Sequence, residues 1–218
     1  GDESQIIYVW VDALSNYINA LGYATEDEKY KKYWAKGDRI THLVGKNITR
    51  FHAVYWPALL LSAGVRLPHE LLVHGFFTIQ GEKISKSLGN AVNPFTLIEE
   101  FNGADALRYY LLREVPSGGD GDFSDEKLKA RYNGDLANGL GNFAARVLTL
   151  AHNANLRTPP TPDVHVQEAI EKAGKAAADK IAEFKLHEAL QLVWELISFG
   201  DKYINDHRPW ESNAAVRG

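Results

Sequence analysis

The sequence predicts an α/β domain followed by an all-α domain. Over the first ~120 residues, short β-rich runs alternate with helical stretches, which is the pattern of a parallel sheet with crossover helices. Further along, apolar residues recur every three or four positions, which is the period of amphipathic helices. A glycine-rich segment at residues 117–121 separates the two patterns. We therefore expect one domain over residues 1–120 and a second over 121–218.

Composition excludes several classes of protein. The chain has 218 residues, of which 45% are hydrophobic and 24% charged, close to globular averages. No apolar run approaches the ~20 residues that cross a bilayer, and the N-terminal residues lack a signal-peptide pattern, so we expect a cytoplasmic protein. Zero cysteines exclude disulfides and thiolate metal sites, and we expect no zinc site. The net charge of −4 gives no global sign of nucleic-acid binding.

Three continuous apolar runs predict parallel strands that are buried on both faces. They cover residues 6–11, 40–44 and 71–74. A doubly wound sheet normally contains two such halves, so the sequence predicts an incomplete Rossmann-like sheet, its second half. The sequence begins almost directly on a buried strand, which we interpret as the mark of a truncated domain.

Local signals predict the remaining elements. Residues 51–63 have a helical pattern, and a tight turn at Gln80-Gly81 predicts a hairpin. Asn93-Pro94 is typical of an N-cap followed by the first helical residue, which predicts a helix through Phe101. Apolar stripes then predict three antiparallel bundle helices, over residues 128–150, 170–184 and 186–204.

The segment Lys83-Ile84-Ser85-Lys86-Ser87 carries two ammonium groups and two hydroxyls within five residues. Such groups on a loop suit the triphosphate of a nucleotide. A solvated basic loop has the same composition, and charge alone favours that interpretation. The composition of the segment therefore leaves both open.

The order of residues around this segment is more specific. With Val73-His74-Gly75 before it, the segment resembles the second signature motif of the class I aminoacyl-tRNA synthetases, usually Lys-Met-Ser-Lys-Ser, with Ile84 replacing methionine. The resemblance is to the methionyl branch of that class and covers nearly the whole chain. The other similar segments are residues 8–13, 44–48, 51–52, 55–58 and 105–110. The implied partners are tRNA, methionine and ATP, the last with magnesium, and the implied reaction proceeds through methionyl-adenylate.

The resemblance also implies roles for individual residues. The catalytic loop maps to Lys83, Ser85, Lys86 and Ser87. ATP would contact Gly45, His74, Gly75, Lys83 and Lys86. The amino-acid pocket maps to Trp10, Asp12, Ala13, Tyr17, Ile48 and His52, although core packing would explain its aromatic members equally well without the resemblance. Leu14 and Asn47 depart from the proline and aspartate of other members, and Asn47 puts a charged role at its position in doubt.

The helical part carries a second candidate site. Asn138, Asn142 and Arg146 are spaced four residues apart and share one helix face. Amides and a guanidinium can bind the edges of unstacked bases, and Trp210 could stack on one. The resemblance assigns Asn142, Arg146 and Trp210 to the anticodon of the tRNA. The alternative is a polar helix face with a tryptophan packed on the bundle.

The first signature motif of that class, His-x-Gly-His, does not occur in this sequence. In the family, those histidines help to hold ATP. The resemblance therefore implies the second half of a synthetase, and we expect this chain to be inactive when alone. The alternative function is that of a noncatalytic tRNA-binding module on the same scaffold.

Overall fold

The computed structural model describes residue 4 and residues 8–25, 27–79, 81–84 and 89–214, where the side chains of 83 and 212–214 are not described. The chain packs as two compact units, Gly1–Phe76 and Phe77–Gly218. The predicted domain boundary, between residues 120 and 121, does not coincide with the boundary between these packed units, and it stays a prediction. The unit boundary comes earlier because the strand that begins at Phe77 pairs with a strand that begins at Gly121, the last residue of the glycine-rich segment.

The first unit places two parallel strands among helices. Its elements are α1 (Val9–Asn19), α2 (Glu28–Tyr30), β1 (Thr41–Gly45), α3 (Trp56–Ser62) and β2 (Glu70–His74). A π-helical turn, Lys31–Ala35, follows α2, and another, Phe51–Tyr55, precedes α3. A 3₁₀ turn, Tyr23–Thr25, follows α1, and another, Lys46–Ile48, follows β1. β1 and β2 are parallel, with Thr41 opposite Glu70 and Gly45 opposite His74. The parallel strands predicted at residues 40–44 and 71–74 are thus present, but the predicted burial on both faces is wrong for β1, where Leu43 is 66% exposed.

The strand predicted at residues 6–11 is wrong where the structure describes it. Val9, Trp10 and Val11 form the first turn of α1, while residues 6 and 7 lie outside the described part of the chain. A short apolar run does not distinguish a buried strand from a buried helix. The helical period shows only further along, where Leu14 and Ile18, one turn apart, are 1% and 6% exposed. These residues pack against buried Trp34, Ile40, Trp56, Leu60 and Val65.

The second unit begins with a small sheet and continues into helices. Its strands are β3 (Phe77–Ile79), β4 (Glu82–Lys83) and β5 (Gly121–Phe123). β3 lies in the middle, antiparallel to β4 and parallel to β5. The predicted hairpin is therefore confirmed, and Gly81 in its turn has the positive φ of +78° that favours glycine.

The described helices of this unit include the predicted ones and two that were not predicted, at residues 104–114 and 209–214. They are α4 (Pro94–Glu100), α5 (Ala104–Glu114), α6 (Asp125–Arg131), α7 (Asn142–Asn153), α8 (Val164–Ala182), α9 (Leu186–His207) and α10 (Pro209–Ala214). Asn93 caps α4 by accepting a hydrogen bond from the Phe95 N–H, and the helix ends one residue before the predicted Phe101. A π-helical stretch, Tyr132–Gly141, joins α6 to α7, so the first predicted bundle helix is continuous.

Two backbone features lie near the ends and contacts of α7 and α9. α7 and α9 lie so close together that a Cβ added at Gly200 would be 2.7 Å from the ring of Phe143. At the end of α9, Arg208 has a left-handed φ of +43°, and the chain turns there into α10. Within the described ranges, none of the helices combines the length and apolarity that a membrane span needs.

Candidate functional site

The first candidate site is a cluster of aromatic rings built on α1. Positions 10, 13 and 17 share one helix face, which presents Trp10, Ala13 and Tyr17 together. The Trp10 ring stacks on Phe51, with 4.0 Å between centroids and 10° between planes. The Tyr17 ring is tilted at 51° over His42 with 4.4 Å between centroids. Tyr17 remains 38% exposed, so the cluster has an open side.

His52 is fixed in one tautomer by two hydrogen bonds. Its Nδ1–H donates to the backbone carbonyl of Ile48 at 3.0 Å, one turn earlier. Its Nε2 therefore accepts, and the Tyr17 hydroxyl donates to it at 2.9 Å. The ring is buried, with 4% exposure. The structure thus brings Trp10, Tyr17, Ile48 and His52 together, with Ile48 contributing its carbonyl.

Asp12 does not belong to this face. Position 12 lies about 200° around the helix from position 10, because each residue turns the helix by about 100°. The Asp12 carboxylate is exposed in the first turn of α1. Its predicted contact with a substrate ammonium stays a prediction.

His42 is a member of the cluster that the sequence reasoning missed. It is 7% exposed, and its Nε2 accepts a hydrogen bond from the indole N–H of Trp56 at 3.1 Å. Burial and the neighbouring His52 lower its pKa to about 4. His42 is therefore neutral at physiological pH. Its inward position in β1 was a possible signal, but the sequence did not indicate its partner.

The second candidate site is the carboxyl edge of the β1–β2 pair. Ligands of open α/β sheets bind at such edges. Gly45 and His74 are register partners at the ends of these two parallel strands. The exposed His74 ring donates through Nδ1–H to the carbonyl of buried Gly75 at 2.8 Å. A Cβ at Gly45 would lie 2.9 Å from Oδ1 of Asn47, so the Asn47 side chain would have to move to admit it.

The same edge carries a cation that the sequence reasoning did not single out. Lys46, directly after β1, places its ammonium 4.8 Å from the centroid of the Phe76 ring. Lys83, a cation that the sequence reasoning did single out, has its backbone in β4 opposite Thr78. Its side chain, and residues Ser85, Lys86 and Ser87, lie outside the described part of the chain.

The third candidate site lies between α7 and α9. The Arg146 guanidinium donates to Asp201 at 2.9 Å and to the Asn205 side-chain oxygen at 2.6 Å. It also lies 5.2 Å from the Trp210 ring, in cation–π geometry. Asn142, one turn before Arg146, lines the same groove, which has a volume of about 710 Å³. The structure thus brings the three predicted anticodon residues to one region of the bundle.

Asp201 and Asn205 are the residues that sequence reasoning missed in this groove. They lie one helical turn apart on α9, and both accept hydrogen bonds from the Arg146 guanidinium. Trp210 is 42% exposed. The arrangement offers a planar cation, an amide and an accessible indole. In the described part of the chain, no group of three His, Asp or Glu side chains is placed to hold a metal ion.

Comparison with known proteins identifies the class first. A family model described as tRNA synthetases class I (M) matches residues 1–148. The chain therefore belongs to the class I tRNA synthetases of the methionyl type, and the resemblance found in the sequence is confirmed. Two relatives carry the name of the individual enzyme. Methionine–tRNA ligases from Clostridium perfringens and Thermotoga maritima are 45% and 43% identical over 96% of this chain.

Solved structures give the same result for the fold. Methionyl-tRNA synthetase from Mycobacterium tuberculosis, bound by methionyl-adenylate, is 40% identical over 94% of this chain, with a TM-score of 0.85. The free form of that protein matches with a TM-score of 0.81. The class I synthetase fold is thus shown. This chain spans about a third of the two bacterial ligases, 33% and 34%, and 41% of the crystallised protein.

Proposed function

We propose that this chain serves the ATP-dependent attachment of methionine to its tRNA, through methionyl-adenylate, in the cytoplasm. The observation that carries the proposal is the Trp10–Tyr17–His52 aromatic cluster in a chain that belongs to this family. Aromatic rings suit a thioether because sulfur–ring contacts are favourable. The fixed Tyr17–His52 hydrogen bond adds a polar group that distinguishes methionine from an aliphatic side chain.

ATP is assigned to the carboxyl edge of β1 and β2. Gly45 ends β1, and His74 and Gly75 lie at the neighbouring strand end, where the ligands of open α/β sheets bind. Lys83 and Lys86, with Ser85 and Ser87, would stabilise the negative charge that develops on the departing pyrophosphate. Magnesium accompanies ATP as part of the substrate. The roles of these four loop residues are proposed from the resemblance of the sequence to the family.

The helical groove is assigned to the tRNA anticodon. Arg146 and Asn142 present donors to base edges, and exposed Trp210 provides a surface for base stacking. We keep the functional boundary at residues 120 and 121, with activation chemistry before it and tRNA recognition after it.

The test is methionine-dependent exchange of pyrophosphate into ATP. We expect negligible exchange by this chain alone, because its sequence lacks the His-x-Gly-His motif. We expect exchange by a chimera in which this chain replaces the matching region of the Thermotoga maritima relative. Robust exchange by this chain alone would contradict the first expectation, and a folded chimera without exchange would contradict the proposed function.

Two variants of the chimera separate the proposed roles. Lys86→Ala should lower exchange by about 10²–10³-fold, as loss of a transition-state donor does, with unchanged affinity for an anticodon stem–loop. Arg146→Ala should lower that affinity by about tenfold or more and leave exchange intact. Equal effects of either variant on both assays would refute this division.

A further inference from the structure

Asp122, in the middle of β5, connects three elements of the second unit. Its Oδ1 accepts a hydrogen bond from the Thr78 hydroxyl at 2.7 Å and from the backbone N–H of Gly81 at 2.8 Å. Its Oδ2 lies 3.8 Å from the ammonium of Lys127 in α6. One carboxylate therefore contacts strand β3, the hairpin turn and the first bundle helix.

The strand register places this carboxylate in line with the phosphate-binding segment. Thr78 pairs with Lys83 on one side and with Asp122 on the other. The three residues thus form one rung across the sheet. Gly81, whose N–H the carboxylate holds, has a left-handed φ, so its position is defined by a turn that few other residues could adopt.

We propose that Asp122 is a positioning residue, which fixes the hairpin turn at Gly81 and through it the backbone of Lys83. The inference rests on the proposed function, because that function gives Lys83 its role toward ATP phosphates. Asp122 itself does not touch the substrate in this scheme. It acts by holding the backbone of β4 at Lys83 in one defined place.

The electrostatic surroundings keep the carboxylate charged. The Gly81 N–H and the Thr78 hydroxyl lower the pKa of Asp122 below its usual value of 3.8, and Lys127 acts in the same direction. From α5, the Tyr110 hydroxyl donates to the backbone carbonyl of Asp122 at 3.4 Å and adds no charge at neutral pH. The three contacts are therefore present at neutral pH and are lost only as the pH falls through this lowered pKa.

The structural part of the test follows the Gly81 amide by NMR in this chain. Asp122→Ala should increase its hydrogen-exchange rate and move its resonance, while Asp122→Asn, which keeps one acceptor oxygen, should change it less. The wild-type resonance should shift with pH below about 4, and that of Asp122→Asn should not. The control is Asp105→Asn, an exposed aspartate in the first turn of α5. An unchanged Gly81 amide in Asp122→Ala would overturn the proposal.

The functional part uses the chimera and the exchange assay. Asp122→Ala should lower kcat by about tenfold or more with the KM for methionine unchanged, and Asp122→Asn should recover part of the loss. A wild-type kcat in folded Asp122→Ala, with a released Gly81 amide, would overturn the positioning role. Absence of exchange in the unsubstituted chimera would instead reject the proposed function, and the Gly81 amide would still decide whether Asp122 holds the turn.

Discussion

The imidazole of His42 titrates differently in the folded and the unfolded chain. In the fold it is buried, and it accepts a hydrogen bond from Trp56 that only its neutral form can accept. Its pKa is lowered from 6.5 to about 4. Between these two values the unfolded chain binds a proton that the folded chain does not. The contribution of His42 to the free energy of unfolding therefore rises with pH across this window and is constant above it.

The variant His42→Gln should remove this pH dependence, because glutamine offers an acceptor to Trp56 without titrating. In the wild-type chain, the contribution of His42 to the free energy of unfolding should fall by up to about 3 kcal/mol from pH 6.5 to pH 4. Urea unfolding at several pH values, for both chains, measures the difference. Parallel pH profiles of the two chains would show that His42 is not the titrating group.

The residue scale also shows where sequence reasoning stops. The resemblance was sufficient to place Trp10, Tyr17 and His52 in one site, and the structure brings them together. It did not find His42, because its partner Trp56 lies 14 residues further along and only the folded chain joins them. Hydrogen-bond partners across elements depend on tertiary packing, which neither spacing nor composition encodes.

The approach of α7 to α9 depends on glycine. At Gly200, a Cβ would lie 2.7 Å from the Phe143 ring, whereas at Gly174, in the middle of α8, no heavy atom lies within 4 Å of the added carbon. Both positions are inside long α-helices, so alanine gains a similar helix propensity at each. The two positions therefore differ in whether the added Cβ would meet another side chain.

We therefore expect opposite effects of alanine at these positions. Gly174→Ala should raise the free energy of unfolding by about 0.5–1 kcal/mol, because glycine costs more backbone entropy in a helix. Gly200→Ala should lower it by about 1–3 kcal/mol, as overpacking does. Urea unfolding of both variants tests the pair. Stabilisation by Gly200→Ala would mean that α7 and α9 separate easily.

Element type was predictable where the pattern was long. The three bundle helices follow from apolar stripes of many turns, and Asn93-Pro94 marked the start of α4 correctly. Two short elements were missed. Val9–Val11 has no period of its own and was assigned to a strand, and β5, which begins at the last residue of the glycine-rich segment, was not predicted. Its pairing with β3 joins residues that are far apart in the sequence.

At the scale of the whole molecule, the net charge of −4 limits how tRNA could bind. A chain without an excess of basic residues neutralises few phosphates, and each neutralised phosphate contributes about −0.7 to the slope of log K against log salt for single strands. We expect a slope of about −2 or shallower for an anticodon stem–loop. Fluorescence anisotropy between 50 and 200 mM salt measures it. A slope of about −4 or steeper would require a basic surface that the charge of this chain does not predict.

The class of the whole molecule was predictable because it depends on long ordered motifs. Lys83–Ser87 and the segments around it were sufficient for the resemblance to class I synthetases, which the family model then confirmed. The division into packed units depends on the β3–β5 pairing, which joins residues that are far apart in the sequence. The domain boundary at residues 120 and 121 stays a prediction.

The left-handed conformation of Arg208 has a consequence for the accessible indole. This residue ends α9, and the chain continues from it directly into α10. The Trp210 ring, in the first turn of α10, lies 5.2 Å from the Arg146 guanidinium. Glycine or asparagine at position 208 would preserve the left-handed conformation, whereas valine or isoleucine would oppose it through steric clash at Cβ. We therefore expect the position of the Trp210 indole to depend on the backbone conformation at residue 208.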